Sequence, residues 1–286
     1  MRVEILEPSG CCQGVNNAIS LALKARSEHK DKNVYILGML VHNETVINEL
    51  TKHHIETIIA PTLFDALNKV NDGVVIFTAH GHDEKLNALA TKKGLIVYDS
   101  TCAFVKVNHH HIQNAIKDNH QVIFIGKKNH PETDASLAIS PEVILFDIKD
   151  GLDYKKIIDQ EPVIVCQTTL SIYEVKDIQE DIFKHFPKAK ALKSVCNATY
   201  ERQKALNNIS SSCDLILIVG SNNSSNTSKL YEISKKLYKN KEIRQIKTVK
   251  DLFNSNLDKY HYITIVGGAS TPKNVLEEIK EYLLTK

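Results

Sequence analysis

Six short runs of apolar residues punctuate the sequence, each rich in β-branched side chains and each followed by a polar loop. They are Val34–Leu37, Val74–Phe77, Val122–Ile125, Val163–Val165, Leu215–Val219 and Tyr262–Val266. Unbroken apolar runs, as opposed to alternating ones, suit strands buried on both faces of a parallel sheet. Between them lie stretches with helical spacing of apolar positions, such as Val15–Glu28 and Ala205–Ile209. The opening residues, Met1–Leu6, read as a further strand. Strands alternating with helices predict α/β architecture.

The loops after these runs hold the reactive side chains: His42, His80, His130, Thr168, the run Ser224-Ser225-Asn226, and Ser270. Cys12, Cys102 and Cys196 punctuate the same series, each just ahead of a predicted helix. The cysteines are 90 and 94 residues apart, and His42, His130 and Ser224 recur at 88 and 94. Each unit reads strand, cysteine, helix, strand, polar loop, helix, strand, polar loop. The repeat predicts three similar small α/β domains with mainly parallel sheets, over residues 1–101, 102–195 and 196–286. Chance spacing is the plain alternative, since strand–loop–helix rhythm is common, but three randomly placed cysteines would seldom all precede helices. Ligands of open parallel sheets bind beyond the carboxyl ends of the strands. Three domains turned inward would therefore gather the cysteines and loops at one centre.

Composition narrows the function. With 42% apolar residues in 286, a sizeable core is expected and wholesale disorder is not. The 36 basic and 34 acidic residues nearly cancel and form no basic tract, which removes the electrostatic footprint of a nucleic-acid binder. No apolar run approaches the roughly 20 residues of a membrane span. Met1–Leu6 lacks the core of a secretory signal, so a cytoplasmic protein is expected. Six cysteines without a Cys-x-x-Cys pair form neither a dense disulfide framework nor a zinc ribbon.

Position gives three of these cysteines a chemistry. A helix N-terminus carries unpaired N–H groups and partial positive charge, which favour the thiolate that binds metal. Three soft thiolates suit an iron–sulfur cluster or a zinc ion, and three instead of four leave one metal position open. Taken singly, each is equally well read as a small buried residue. That reading is kept for Cys11, Cys166 and Cys213; Cys166 sits inside an apolar run, and Cys11 is expected to point away from its neighbour. His109-His110-His111 falls on the helix after Cys102 and reads as a partly solvated face. Alone, Asn222–Asn226 would be a turn and His130-Pro131-Glu132 a surface loop.

Together these segments resemble one family. Pro8-Ser9-Gly10-Cys11-Cys12-Gln13-Gly14-Val15 is similar to the N-terminal cysteine motif of the LytB/IspH family of 4-hydroxy-3-methylbut-2-enyl diphosphate reductases. The resemblance continues through Val41-His42-Asn43, Thr78-Ala79-His80-Gly81, Asp99-Ser100-Thr101-Cys102 and His130-Pro131-Glu132. It ends with Gln167-Thr168-Thr169-Leu170, Cys196, Gly220–Asn226 and Gly268-Ala269-Ser270, in order over essentially the whole chain. The resemblance implies three domains in pseudo-threefold arrangement around a central [4Fe–4S] cluster, one per chain. Cys12, Cys102 and Cys196 would be its ligands, with an open apical iron for the substrate hydroxyl. It implies diphosphate binding by His42, His80, Ser224, Asn226 and Ser270, with Ser225 in the same motif. Glu132 would be the proton donor, with Thr168 and His130 completing the network. Reduced ferredoxin or flavodoxin would supply electrons to a monomer; no Gly-x-Gly-x-x-Gly turn offers a nicotinamide or flavin site. Departures are Cys11 where the family usually has an aromatic residue, Ala103 for a proline, and Gly267-Gly268 in the last motif. Two other classes stay open on the residues themselves: a zinc hydrolase with a glutamate base, and a diphosphate-binding sensor.

Overall fold

Each apolar run is an inner strand of a four-stranded parallel sheet in the computed structural model, which describes residues 1–286. The chain opens with β1 (Arg2–Leu6), β2 (Val34–Leu37), β3 (Ile55–Ile58), β4 (Val74–Phe77) and β5 (Ile96–Asp99). It continues with β6 (Val122–Gly126), β7 (Val143–Asp147), β8 (Val163–Cys166) and β9 (Lys190–Ala191). Last come β10 (Leu215–Val219), β11 (Glu242–Ile246) and β12 (Tyr262–Gly267). The sheets have the orders β3-β2-β4-β5, β7-β6-β8-β9 and β11-β10-β12-β1. Counted along the chain within each repeat, all three run second, first, third, fourth, with β1 taking the fourth place in the last.

Burial explains which strands announce themselves. Every residue of β4, β6, β8, β10 and β12 is buried. Helices cover both faces, so an inner strand has no polar side to alternate. In the third sheet Leu215, Leu217 and Val219 join one apolar cluster, while Ile216 and Ile218 join the other. Edge strands are mostly half-buried or exposed, as in β3, β5, β9 and β11, and their sequences carry charge and little pattern.

Ten α-helices connect the strands. They begin with α1 (Gln13–Glu28), α2 (Glu44–Lys52), α3 (Leu63–Asn68), α4 (Lys85–Lys92) and α5 (Ala103–Lys117). They end with α6 (Pro131–Leu137), α7 (Ile172–His185), α8 (Asn197–Ala205), α9 (Ser225–Leu237) and α10 (Lys273–Leu284). The predicted helix at Ala205–Ile209 is instead the last residue of α8 followed by a 3-10 turn over Leu206–Asn208. No helix is long and apolar enough to cross a membrane.

β1 departs from the simple repeat. Although it leads into Cys12, it pairs in parallel with β12, Ile5 opposite Ile265, and is the fourth strand of the third sheet. Val3 and Ile5 pack on that sheet's core, which rewards the long-range pairing. The chain forms two compact units. One comprises Met1–Asn16, Val41–Val46 and Asn197–Lys286, and the other Asn17–Leu40 and Ile47–Cys196. The expected boundary at 195/196 lies within a residue of a unit edge, whereas that at 101/102 falls inside the second unit.

Ile265 lies in β12, fully buried, with β1 and β10 on either side. Ile265→Ala is expected to destabilise the protein by about 2–5 kcal/mol in urea unfolding. Amide exchange should show β1 losing protection together with β12 while β2 and β4 keep theirs. Protection of β1 that follows β2 would contradict the pairing.

Candidate functional site

The repeat is sharpest where the inner strands end. Leu37 is paired with Phe77, Ile125 with Cys166 and Val219 with Gly267. Five residues past the first member of each pair stand His42, His130 and Ser224. Two residues past the second stand Ala79, Thr168 and Ala269. The carbonyls of those last three residues accept a hydrogen bond from a cysteine N–H. Cys102 donates to Ala79 at 3.0 Å, Cys196 to Thr168 at 3.2 Å and Cys12 to Ala269 at 2.8 Å. One backbone bond, made three times, ties each cysteine to the loop of its own sheet.

Each of these cysteines stands where a helix begins. Cys102 is the N-cap of α5, and Cys12 and Cys196 immediately precede α1 and α8. The carbonyls of Cys12 and Cys102 accept from Asn16 N–H and Lys106 N–H, both at 3.0 Å, so the helices grow directly out of them. All three are thiols outside any disulfide, half-buried, at the positive end of a helix. The other cysteines differ. Burial pushes the Cys166 thiol up to about 12. Burial and the neighbouring Cys12 push Cys11 to about 11, against the pull of Arg202. Cys213 is buried and donates to the Leu215 carbonyl at 3.2 Å. Three thiols share this setting and three do not, and a thiolate at a helix start is a donor of the soft kind that iron–sulfur clusters and zinc take.

In the second unit the structure gathers His80, His130, Glu132 and Thr168. His130 caps α6, and its Nδ1 accepts from the Glu132 N–H at 3.2 Å. A nitrogen that accepts carries no proton, so the neutral ring is protonated at Nε2. The His80 and His130 rings meet edge to face, centroids 5.4 Å apart. Glu132 is 2% exposed. Its Oε1 accepts from the Thr168 N–H at 2.7 Å, and its Oε2 from the Thr168 hydroxyl at 2.8 Å. Burial lifts the carboxyl from 4.5 to about 7, and the two Thr168 bonds pull the other way. A carboxyl lifted to that range can hold a proton near neutrality, the property a general acid requires.

The first unit holds His42, Ser224, Ser225, Asn226 and Ser270. Ser224 caps α9, accepting from the Thr227 N–H at 3.3 Å, and Ser225 is the first helical residue. Asn226 is buried, and its Oδ1 accepts from the Ala269 N–H at 2.9 Å. Asn226 and Glu132 each lie seven residues past the strand-end pair, so they make one bond in two repeats, one with an amide and one with an acid. Glu44 is the third equivalent and instead pairs with Lys247 at 3.0 Å. The Ser270 hydroxyl donates to the His42 carbonyl at 3.4 Å. The first turn of α9 adds helix N–H groups suited to an anion.

Gln167 had no role in the sequence reading. It is fully buried, accepting from the Lys127 N–H at 3.1 Å and donating to the Thr169 hydroxyl at 2.9 Å, so it braces the loops after β6 and β8. Its signals were an amide directly after an unbroken apolar run and its place at the head of the Gln167-Thr168-Thr169-Leu170 segment.

The family model described as LytB protein matches residues 3–284. A 4-hydroxy-3-methylbut-2-enyl diphosphate reductase from Macrococcus caseolyticus is 33% identical over 287 residues, covering 99% of this chain and 89% of the relative. The same-named protein of Bacillus thuringiensis is 34% identical over 285 residues, covering 99% and 90%. Among solved structures, the E-1-hydroxy-2-methyl-but-2-enyl-4-diphosphate reductase of Plasmodium falciparum superposes with a TM-score of 0.86 at 30% identity, over 99% of this chain and 87% of that one. A structure described as (E)-4-hydroxy-3-methyl-but-2-enyl diphosphate reductase, the terminal enzyme of the non-mevalonate pathway, gives 0.71 at 28% identity over the full length of both.

Thr168→Val removes one of the bonds that hold the Glu132 carboxylate, so the carboxyl should titrate above its present value of about 7. Carbon NMR of the labelled carboxyl would show this, and an unchanged or lower value would contradict it. The same group has a stability signature. Its proton is held more tightly folded (about 7) than at the ordinary 4.5, so its contribution to stability is lost as pH rises from 4.5 through 7. Glu132→Gln should therefore gain on the parent protein in urea unfolding at pH 8 relative to pH 5.

Proposed function

The chain belongs to the LytB protein family, and we infer from that membership that it is an oxidoreductase acting on (E)-4-hydroxy-3-methylbut-2-enyl diphosphate. The reaction adds two electrons and two protons, breaks the allylic C–O bond, and releases water with isopentenyl or dimethylallyl diphosphate. It is the last step of the non-mevalonate route to isoprenoids.

The observation that carries the residue assignment is the repeated bond from the cysteine N–H to its strand-end loop. It supports Cys12, Cys102 and Cys196 as the ligands of an iron–sulfur cluster, with Cys11, Cys166 and Cys213 outside it. When bound, one [4Fe–4S] cluster per chain would supply electrons and, at the iron without a protein ligand, a Lewis acid for the hydroxyl. The protein's own part is binding, orientation and proton delivery. His42, His80, Ser224, Ser225, Asn226 and Ser270 take the diphosphate through imidazole, hydroxyl and amide donors, assisted by the N–H groups opening α9. Glu132 gives the proton that lets hydroxide leave as water. Thr168 orients that carboxyl and reverses its hydroxyl bond as the proton moves, while His130 offers Nε2–H. Electrons arrive from a reduced ferredoxin or flavodoxin, and the enzyme works as a cytoplasmic monomer.

Serine substitution of Cys12, Cys102 or Cys196 is expected to abolish stoichiometric iron and sulfide after anaerobic reconstitution, while Cys166→Ser and Cys213→Ser retain both. A full complement in Cys102→Ser would overturn the ligand set. Glu132→Gln keeps the shape of the side chain but holds no acidic proton. It should bind the diphosphate normally and turn over about 10²–10⁴ times more slowly in an anaerobic assay with an artificial reductant. Near-normal turnover would move the proton to His130 or the substrate's own diphosphate.

A further inference from the structure

Two buried polar side chains hold matching places in the repeat. Asn108 lies six residues after Cys102, on α5, and is 2% exposed. Its Nδ2 donates to the Ser194 carbonyl at 3.3 Å, two residues before Cys196, and to the Cys166 carbonyl at 3.0 Å, at the end of β8. Arg202 lies six residues after Cys196, on α8, and is 5% exposed. Its Nη2 donates to the Gly10 carbonyl at 2.7 Å, two residues before Cys12, and its Nη1 to the Ala198 carbonyl at 3.1 Å. The offsets coincide: six past one cysteine, two before the next. At the remaining corresponding place, six residues after Cys12, stands Ala18, which has no side-chain donor.

We propose that Asn108 and Arg202 are positioning residues for the sulfur ligands, each fixing from one ligand helix the loop that presents the next cysteine. The proposal rests on the reading that Cys12, Cys102 and Cys196 hold a cluster. The carbonyls of Ser194 and Gly10 sit in irregular segments with no sheet ladder to hold them, so a buried donor decides where the following thiol stands. The Cys166 bond adds a second anchor, because the same amide grips the strand that leads to Thr168. Arg202 contributes charge as well. It is a buried cation bonded to the Gly10 carbonyl in the first ligand loop, and positive charge beside an anionic cluster favours the reduced state. Asn108 positions without charge.

The test uses the full-length protein, anaerobically reconstituted, with Asn108→Asp, Asn108→Ala, Arg202→Lys and Arg202→Met. Iron release to a chelator, the paramagnetic resonance spectrum of the reduced cluster and its midpoint potential are measured beside the melting temperature of the metal-free protein. Loss of an outer-shell partner of this kind is expected to speed iron release by about 10–100-fold and alter the spectrum. Arg202→Lys should stay near the parent in potential, whereas Arg202→Met should shift it negative. Variants that lower only the metal-free melting temperature, with parental release, spectrum and potential, would overturn the proposal. If neither Asn108 variant folds, Arg202→Met against Arg202→Lys decides it. Absence of iron and sulfide in the parent protein would instead sink the cluster reading itself.

Discussion

A single kind of hydrogen bond sets where the three helix-start cysteines stand: the cysteine N–H that donates to the carbonyl two residues beyond the third strand of its sheet. The bond links two places that the sheet alone would leave independent, the end of an inner strand and the start of the helix that follows the cysteine. Because the strand end is fixed by a buried ladder, the helix start is fixed too, and with it the thiol. The acid and amide clamps reinforce the same loops. Glu132 and Asn226 hold the N–H groups of the residues whose carbonyls receive Cys196 and Cys12. The loop residue is thus gripped on both sides, with its N–H bound to a side chain and its C=O bound to a cysteine.

Equivalent geometry carries unequal chemistry. Asn226 makes its clamp with a neutral amide, which has the same hydrogen-bonding state at any pH of interest. Glu132 makes it with a carboxyl whose burial drives the proton affinity up to about 7. Nothing in the backbone requires an acid at that position, since one repeat manages with an amide and the other uses Glu44 for an ion pair. A buried ionisable group costs stability on ionisation, and its presence in only one repeat is what supports the proton-handling role proposed for Glu132.

The inner strands were legible because burial on both faces leaves unbroken apolar runs, as at Leu215–Val219. β3, β5, β9 and β11 were not, because an edge strand with charged residues such as Glu242 and Arg244 has the composition of a loop. The three helix-start cysteines and the polar loops after the inner strands were legible through their spacing. The contact of Glu132 with Thr168 was not legible in the residues themselves, since no local pattern links positions 36 apart. Asn108 and Arg202 stayed hidden for a further reason. Their offsets from the cysteines acquire meaning only through the backbone carbonyls they reach, and an asparagine and an arginine share no pattern of their own. The pairing of β1 with β12 was likewise invisible, because a repeat read in chain order assigns the first strand to the first domain.

That pairing bears on how the protein is made. β1 and Cys12 leave the ribosome early, but their partners, β12 and Ala269, are synthesised more than two hundred residues later. The second unit, Asn17–Leu40 and Ile47–Cys196, can be completed while this segment is still waiting. Until then an unpaired strand and a free thiol are held open on the nascent chain, where they are exposed to aggregation and oxidation. Cys12, the first of the three helix-start cysteines to be translated, is therefore the last to be seated, and under the proposed ligand set the binding of any group through it is postponed to the end of translation.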